Sequence, residues 1–126
     1  LSLVLDAGGL VALERGNRDV LCLLKAEVAA GRVPRTHGGV LGQVWRGGMG
    51  KQTRLAQVLA GLRVLPLDEA LGRRAGLLLA RARADDVVDA AVVLLAVDGD
   101  TILTSDPEDL ARLAGAADLH VDVVRV

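Results

Sequence analysis

Short apolar runs alternate along this chain with longer stretches of helical periodicity. Residues 1–5 are apolar except for Ser2, as expected of a strand buried on both faces of a parallel sheet. Asp6 ends the run, and Ala7-Gly8-Gly9 after it lets the backbone pass close to another group or turn sharply into a short helix over residues 10–13. Asn17 is a good N-cap for the next helix, where Val20, Leu21, Leu23, Leu24 and Val28 recur at helical spacing and Gly31 fits the C′ position. Residues 32–36 predict a short strand which, because of Pro34, belongs near an edge. A weak, glycine-rich helix over residues 39–47 and a loop follow, then a better helix over 52–62, a strand over 64–67, and a helix capped by Asp68 that runs to about Ala84.

The densest stretch is DVVDAAVVLLAVDGDTILTSDPED, residues 86–109. Val87 to Val97 is apolar apart from Asp89 and predicts about three helical turns, closed by Gly99. Residues 101–105 read as a strand, and Asp106-Pro107 as an N-cap and first helical residue. The alternating HVDVVRV, residues 120–126, predicts a final strand, at an edge. Strands alternating with helices throughout predict an α/β fold, a mostly parallel sheet of about five strands, and one domain over residues 1–126.

Composition narrows this picture. The 126 residues are 52% hydrophobic, enough for a core without disulfides or a structural metal. Trp45 is the only aromatic side chain of the Phe, Tyr and Trp types, so aliphatic residues must fill that core. A formal net charge of −1 supplies no global field for nucleic acid, so any RNA contact must be local. The single cysteine, Cys22, excludes an internal disulfide and, within the apolar run 20–24, is expected to be a buried structural thiol. No secretory signal, lipidation motif or bilayer-length apolar run is present, which gives the expectation of a cytoplasmic protein without a membrane partner.

Carboxylates carry the candidate chemistry. Asp86 and Asp89 are three residues apart and share a helix face, and an unpaired Asp89 in apolar surroundings would be costly. Right-handed crossovers put the carboxyl ends of parallel strands on one edge, so Asp6 and Asp106 become neighbours if their strands are adjacent. Three aspartates converging without Lys or Arg need a divalent cation or shared protons. All-oxygen donors without a Cys/His cluster point to Mg²⁺ or Mn²⁺, and such a cation suits phosphodiester hydrolysis.

SLVLDAGGLVAL, VVDAAVVLLA and TILTSDPEDL together resemble the PIN-domain ribonucleases, among them the VapC-type toxins of bacterial toxin–antitoxin pairs. The resemblance covers essentially the full length. It implies a three-layer α/β/α fold, Mg²⁺-dependent RNA cleavage, neutralisation by a cognate antitoxin, and a homodimer. It assigns Asp6, Asp89 and Asp106 as metal-holding catalytic acids, Asp109 as an accompanying acid, and Thr104 as the hydroxyl beside the last site aspartate. The family's second acid, a glutamate, falls on Gln43 in GQVWRG, which offers a carbonyl oxygen but no charge. Two outcomes are open: an active enzyme with three aspartates, or a catalytically impaired domain that binds RNA or antitoxin.

Blander readings stand beside these. Asp6 and Asp106 are both competent helix caps, and Asp109 suits the positive end of a helix dipole. Trp45 and Arg46 would contact RNA, or Trp45 would be a core or dimer residue. Neither His37 nor His120 has a partner visible in the sequence, and Arg73, Arg74, Arg81 and Arg83 read as a solvated helix face. A phosphoacceptor receiver domain would need a lysine after the penultimate strand, where neither Lys25 nor Lys51 lies. The glycine spacing of a dinucleotide-binding turn is not completed after Gly8-Gly9.

Overall fold

The computed structural model describes residues 2–47 and 50–126. Residue 1 of the expected first strand and residues 48–49 of the expected glycine-rich loop lie outside the described residues. In chain order the described elements are β1 (Leu3–Leu5), α1 (Ala7–Glu14), α2 (Arg18–Ala29), β2 (Arg35–His37), α3 (Gly38–Val44) and α4 (Thr53–Leu59). They continue with β3 (Arg63–Leu65), α5 (Glu69–Ala82), α6 (Val87–Leu95), β4 (Thr101–Thr104), α7 (Pro107–Ala116) and β5 (Asp122–Arg125).

The sheet has five strands in the order β3-β2-β1-β4-β5, and every pairing is parallel. From β1 the chain moves one way through β2 to β3, then crosses back over β1 to add β4 and β5 on the other side. Right-handed crossovers taken in opposite directions put their helices on opposite faces. Accordingly α1 packs with α2, α3 and α4, while α5, α6 and α7 pack together. The result is the expected PIN-like three-layer α/β/α arrangement, with direction reversing between β1 and β4.

The core lies where both helical layers meet the central strands. Val4, Leu5, Ile102 and Leu103 are fully buried, as are Leu10 and Leu13 of α1 and Val92 and Val93 of α6. Aliphatic side chains do suffice. Among the described residues no helix is long and apolar enough to cross a membrane.

Several expectations need correction. β2 is an interior strand, because Pro34 stands just before it, where its carbonyl accepts a 2.9 Å bond from the Arg63 amide and no amide donor is needed. The edges are β3 and, as expected, β5. Helix α1 starts at Ala7, passing straight through the glycines. Helix α6 stops at Leu95, two residues short of the apolar run, because Asp100 draws the Val97 amide into a 3.0 Å bond. Gly99 (φ 91°) therefore serves the turn into β4 and not the helix end. Gly31 (φ 75°) does follow α2 in the left-handed conformation. Cys22 is exposed: α2 lies on the body along the stripe Val20, Leu21 and Leu24 and turns Cys22 and Leu23 outward.

Candidate functional site

The reversal between β1 and β4 sets the ends of these two strands side by side, with Leu5 opposite Leu103 in register. Asp6 follows the first and Asp106 the second, so the two aspartates expected to be neighbours are delivered to one edge of the sheet.

Asp6 is only 6% exposed and is tied at both oxygens. Oδ1 accepts the Gly9 amide at 3.0 Å, capping α1, and Oδ2 accepts the Thr104 hydroxyl. Thr104 Oγ1 in turn accepts the Asp106 amide at 2.9 Å. A hydroxyl has one proton, so Thr104 must point it at Asp6, which makes Thr104 the bridge between the two strand ends. Burial pushes the Asp6 carboxyl above the ordinary carboxylate range, and the Thr104 and Gly9 bonds pull partly against that.

Asp106 occupies the N-cap position of α7 but makes no side-chain capping bond. Its carboxyl is raised first by pairing with the carboxyl of Asp109, one turn into the helix. Close packing holds these ends together. A Cβ on Gly8 would lie 2.5 Å from Ser105 Oγ and 2.6 Å from the Ser105 amide nitrogen, so only glycine lets α1 pass β4 at this distance.

Asp89 arrives from the other helical layer. Asp86 caps α6, its Oδ1 accepting the Asp89 amide at 3.0 Å, which fixes the first turn and places Asp89 over the strand ends. Asp89 is pushed up to about 6, by desolvation first and then by the charges of Asp86, Asp6, Asp106 and Asp109. The largest charge effects on Asp89 thus all come from other carboxylates.

His37, unassigned by the sequence, braces this patch. It is fully buried at the end of β2, caps α3 by accepting the Gly39 amide on Nδ1 (3.1 Å), and lies 3.0 Å from the Val88 carbonyl through Nε2. Those partners require the neutral tautomer with its proton on Nε2, donated to Val88. Burial lowers the His37 pKa, partly offset by the Val88 bond. The ring therefore anchors the residue preceding Asp89. A lone histidine carries no local signal of such a role; only the β2–α6 contact reveals it.

The remaining expected site residues are less engaged. Gln43 is exposed on the last turn of α3. Arg46 turns back on that helix, its guanidinium donating to the carbonyls of Gly42 (3.0 Å) and Trp45 (2.7 Å). Trp45 is 41% exposed, so it is not a core residue. Gln52, read only as a helix start, instead clamps the end of α3: Nε2 donates to the Val44 carbonyl (2.9 Å) and Oε1 accepts the Arg46 amide (2.8 Å).

Among the described residues no three His, Cys, Asp or Glu side chains stand ready as a ligand cage. Mg²⁺ does not require one, since it keeps several waters and takes one or two carboxylates plus substrate oxygens. The donor set fits such a cation: hard oxygens only, with Asp89 raised to about 6 by desolvation and then by the neighbouring carboxylates. A cavity of about 640 Å³ adjoins the strand ends, running from Ala7, Gly8 and Ser105 along α1 to Arg15 and Asn17.

No protein-family profile matches this sequence, and no curated protein matches it by sequence. By shape, the chain is similar to a chain in the crystal structure of VapBC2 from Rickettsia felis bound to a DNA fragment from their promoter. The TM-score is 0.73 at 13% identity, over 98% of this chain and 99% of that one. The likeness bears out the resemblance to VapC-type PIN domains at the level of the fold.

Proposed function

We propose that this chain is a Mg²⁺-dependent endoribonuclease of the VapC toxin type, working through the acids at the β1 and β4 ends. The observation that carries the reading is that Asp6, Asp86, Asp106 and Asp109 all act by charge on Asp89, beside the ends of the adjacent strands β1 and β4 where strand order reverses. A domain with no use for a cation gains nothing from this repulsion.

In this reading one or two of Asp6, Asp89 and Asp106 would hold the cation directly and the remainder would hold its waters. A divalent cation there supplies a water of lowered pKa and neutralises charge on the leaving oxygen. The chain's own residues do the rest. Thr104 keeps Asp6 oriented toward the strand ends, Asp109 pairs with the Asp106 carboxyl, and His37 keeps the first turn of α6 in place. The cavity along α1, with Arg15 at its far end, offers a track for the RNA strand beside the acids. A cognate antitoxin as inhibitor, a homodimer and a cytoplasmic setting belong to the same reading.

Gln43 favours a second reading. Where the family resemblance expects a glutamate this chain has a neutral amide, and the domain would then bind RNA or antitoxin without cutting. Incubating the purified chain with RNA and Mg²⁺, beside Asp6→Asn and Asp89→Asn, separates the cases. Metal-stimulated cleavage lost in both variants supports the nuclease, and equal cleavage by all three rejects it. No cleavage by the unmodified chain, with activity gained in Gln43→Glu, establishes the second reading.

A further inference from the structure

Beside the edge strand β3 lies an open cavity of about 390 Å³, lined by residues of β2 and β3, the start of α5 and the last turn of α6. Three arginines line it, one each from β2, β3 and α5: Arg35, Arg63 and Arg74. Between them the wall is apolar, with Leu65, Pro66 and Leu94 among the contributors.

The arginines are arranged at a cost. Arg35 and Arg63 stand opposite each other in register on adjacent strands, where like charges repel. Arg35 is compensated by an ion pair to the buried Asp100, yet its Nε is buried with no hydrogen-bond partner. Among the described residues Arg63 and Arg74 have neither an ion pair nor a side-chain hydrogen bond, whereas the adjacent Arg73 pairs with Glu69 at 2.9 Å. Asp68 also lines the cavity and already accepts the Leu71 amide at 3.0 Å. Three guanidiniums against Asp100 and Asp68 leave a net positive charge of one.

We propose that this cavity binds a small phosphate ester with an apolar body, of the mononucleotide class. The forks of Arg63 and Arg74 suit phosphate oxygens, which they can grip bidentately, and guanidinium planes stack on a base. The apolar wall takes the nucleoside, and the volume sits at the lower end of the range for small-molecule sites. The site is separate from the acid patch, because none of the five aspartates lines it and α6 gives it Leu94 and Leu95 of its last turn, whereas Asp89 lies in the first. It is independent of the nuclease reading.

Calorimetric titration of the full chain with AMP, adenosine and inorganic phosphate, in EDTA, tests the proposal. AMP should bind saturably with a Kd below about 1 mM, and adenosine and phosphate at least about tenfold more weakly. Arg63→Ala and Arg74→Ala, both at exposed positions, should each weaken AMP by about tenfold or more with unchanged melting, while Asp89→Asn binds it normally. The proposal is overturned by no saturation at about 10 mM AMP. It is equally overturned by binding that survives loss of both arginines, or by phosphate binding as tightly as AMP.

Discussion

Replacing Asp89 with Asn should stabilise the protein. The folded state raises this carboxyl from 3.8 to about 6, by desolvation and four neighbouring carboxylates. Two pKa units correspond to about 3 kcal/mol of ionisation cost, which solvent screening of this half-buried group reduces to about 1–2 kcal/mol. The sign follows from linkage. Between pH 3.8 and about 6 the folded chain keeps a proton that the unfolded chain releases, so stability falls as pH rises through that window. The full cost stands above pH 6 and is absent below 3.8. Asn is nearly isosteric, and no side-chain hydrogen bond of Asp89 is found among the described residues, so little is lost in exchange. In EDTA at pH 7.5, Asp89→Asn should melt about 3–10 °C above the unmodified chain, a gap that closes toward pH 4. His37 acts oppositely, since its lowered pKa makes stability fall as pH drops below its ordinary value, but it cancels in the difference between the two proteins. Mg²⁺ should then raise the melting temperature of the unmodified chain by mass action and leave Asp89→Asn nearly unmoved. An Asp89→Asn protein that melts lower than its parent at pH 7.5, with the same deficit at pH 4, would refute the reasoning.

Gly8→Ala should cost about 1–3 kcal/mol, because the new methyl meets the Ser105 backbone as well as its side chain. It should also reduce metal-stimulated cleavage more than a comparably destabilising change remote from the acids, read by urea denaturation and RNA cleavage together. Thr104→Val leaves the Asp106 amide and one Asp6 oxygen without their partner, for about 1–3 kcal/mol. With the Thr104 bond gone the Asp6 carboxyl rises further, so Mg²⁺-induced thermal stabilisation should be lost more at pH 6 than at pH 8. His37→Leu removes the α3 cap and the link to Val88, and should cost about 2–4 kcal/mol in chemical denaturation. Faster amide exchange should then appear in α3 and the first turn of α6 together; a change confined to α3 would show that the ring does not brace Asp89.

The strands and caps were legible because their signals are local. Apolar runs ended by Asp6 and Asp106, Asn17 before α2 and Asp68 before α5 each state their role within a few residues. That Asp6 and Asp106 follow neighbouring strand ends also followed, given handed crossovers, but required β1 and β4 to be adjacent, and nothing in either strand says so. Pro34 misled because the rule against proline in central strands concerns its missing amide, and here the proline precedes the paired residues. Cys22 misled because an apolar run on a helix was read as buried all round, when α2 touches the body along one stripe. His37 and Gln52 were illegible for a deeper reason: each works through groups contributed by another element.

Capping also explains why the acids were hard to rank from sequence. Asp6 and Asp86 do cap helices, and each would be kept for that alone. Asp106, in Asp-Pro the plainest N-cap of the chain, has its carboxyl paired with that of Asp109 one turn into the helix. Asp89 has no cap to make and is held where ionisation costs stability. The carboxylate with no structural return, that of Asp89, is therefore the strongest pointer to chemistry. Substitutions there separate function from folding, whereas losses at Asp6 or Asp86 mix the two.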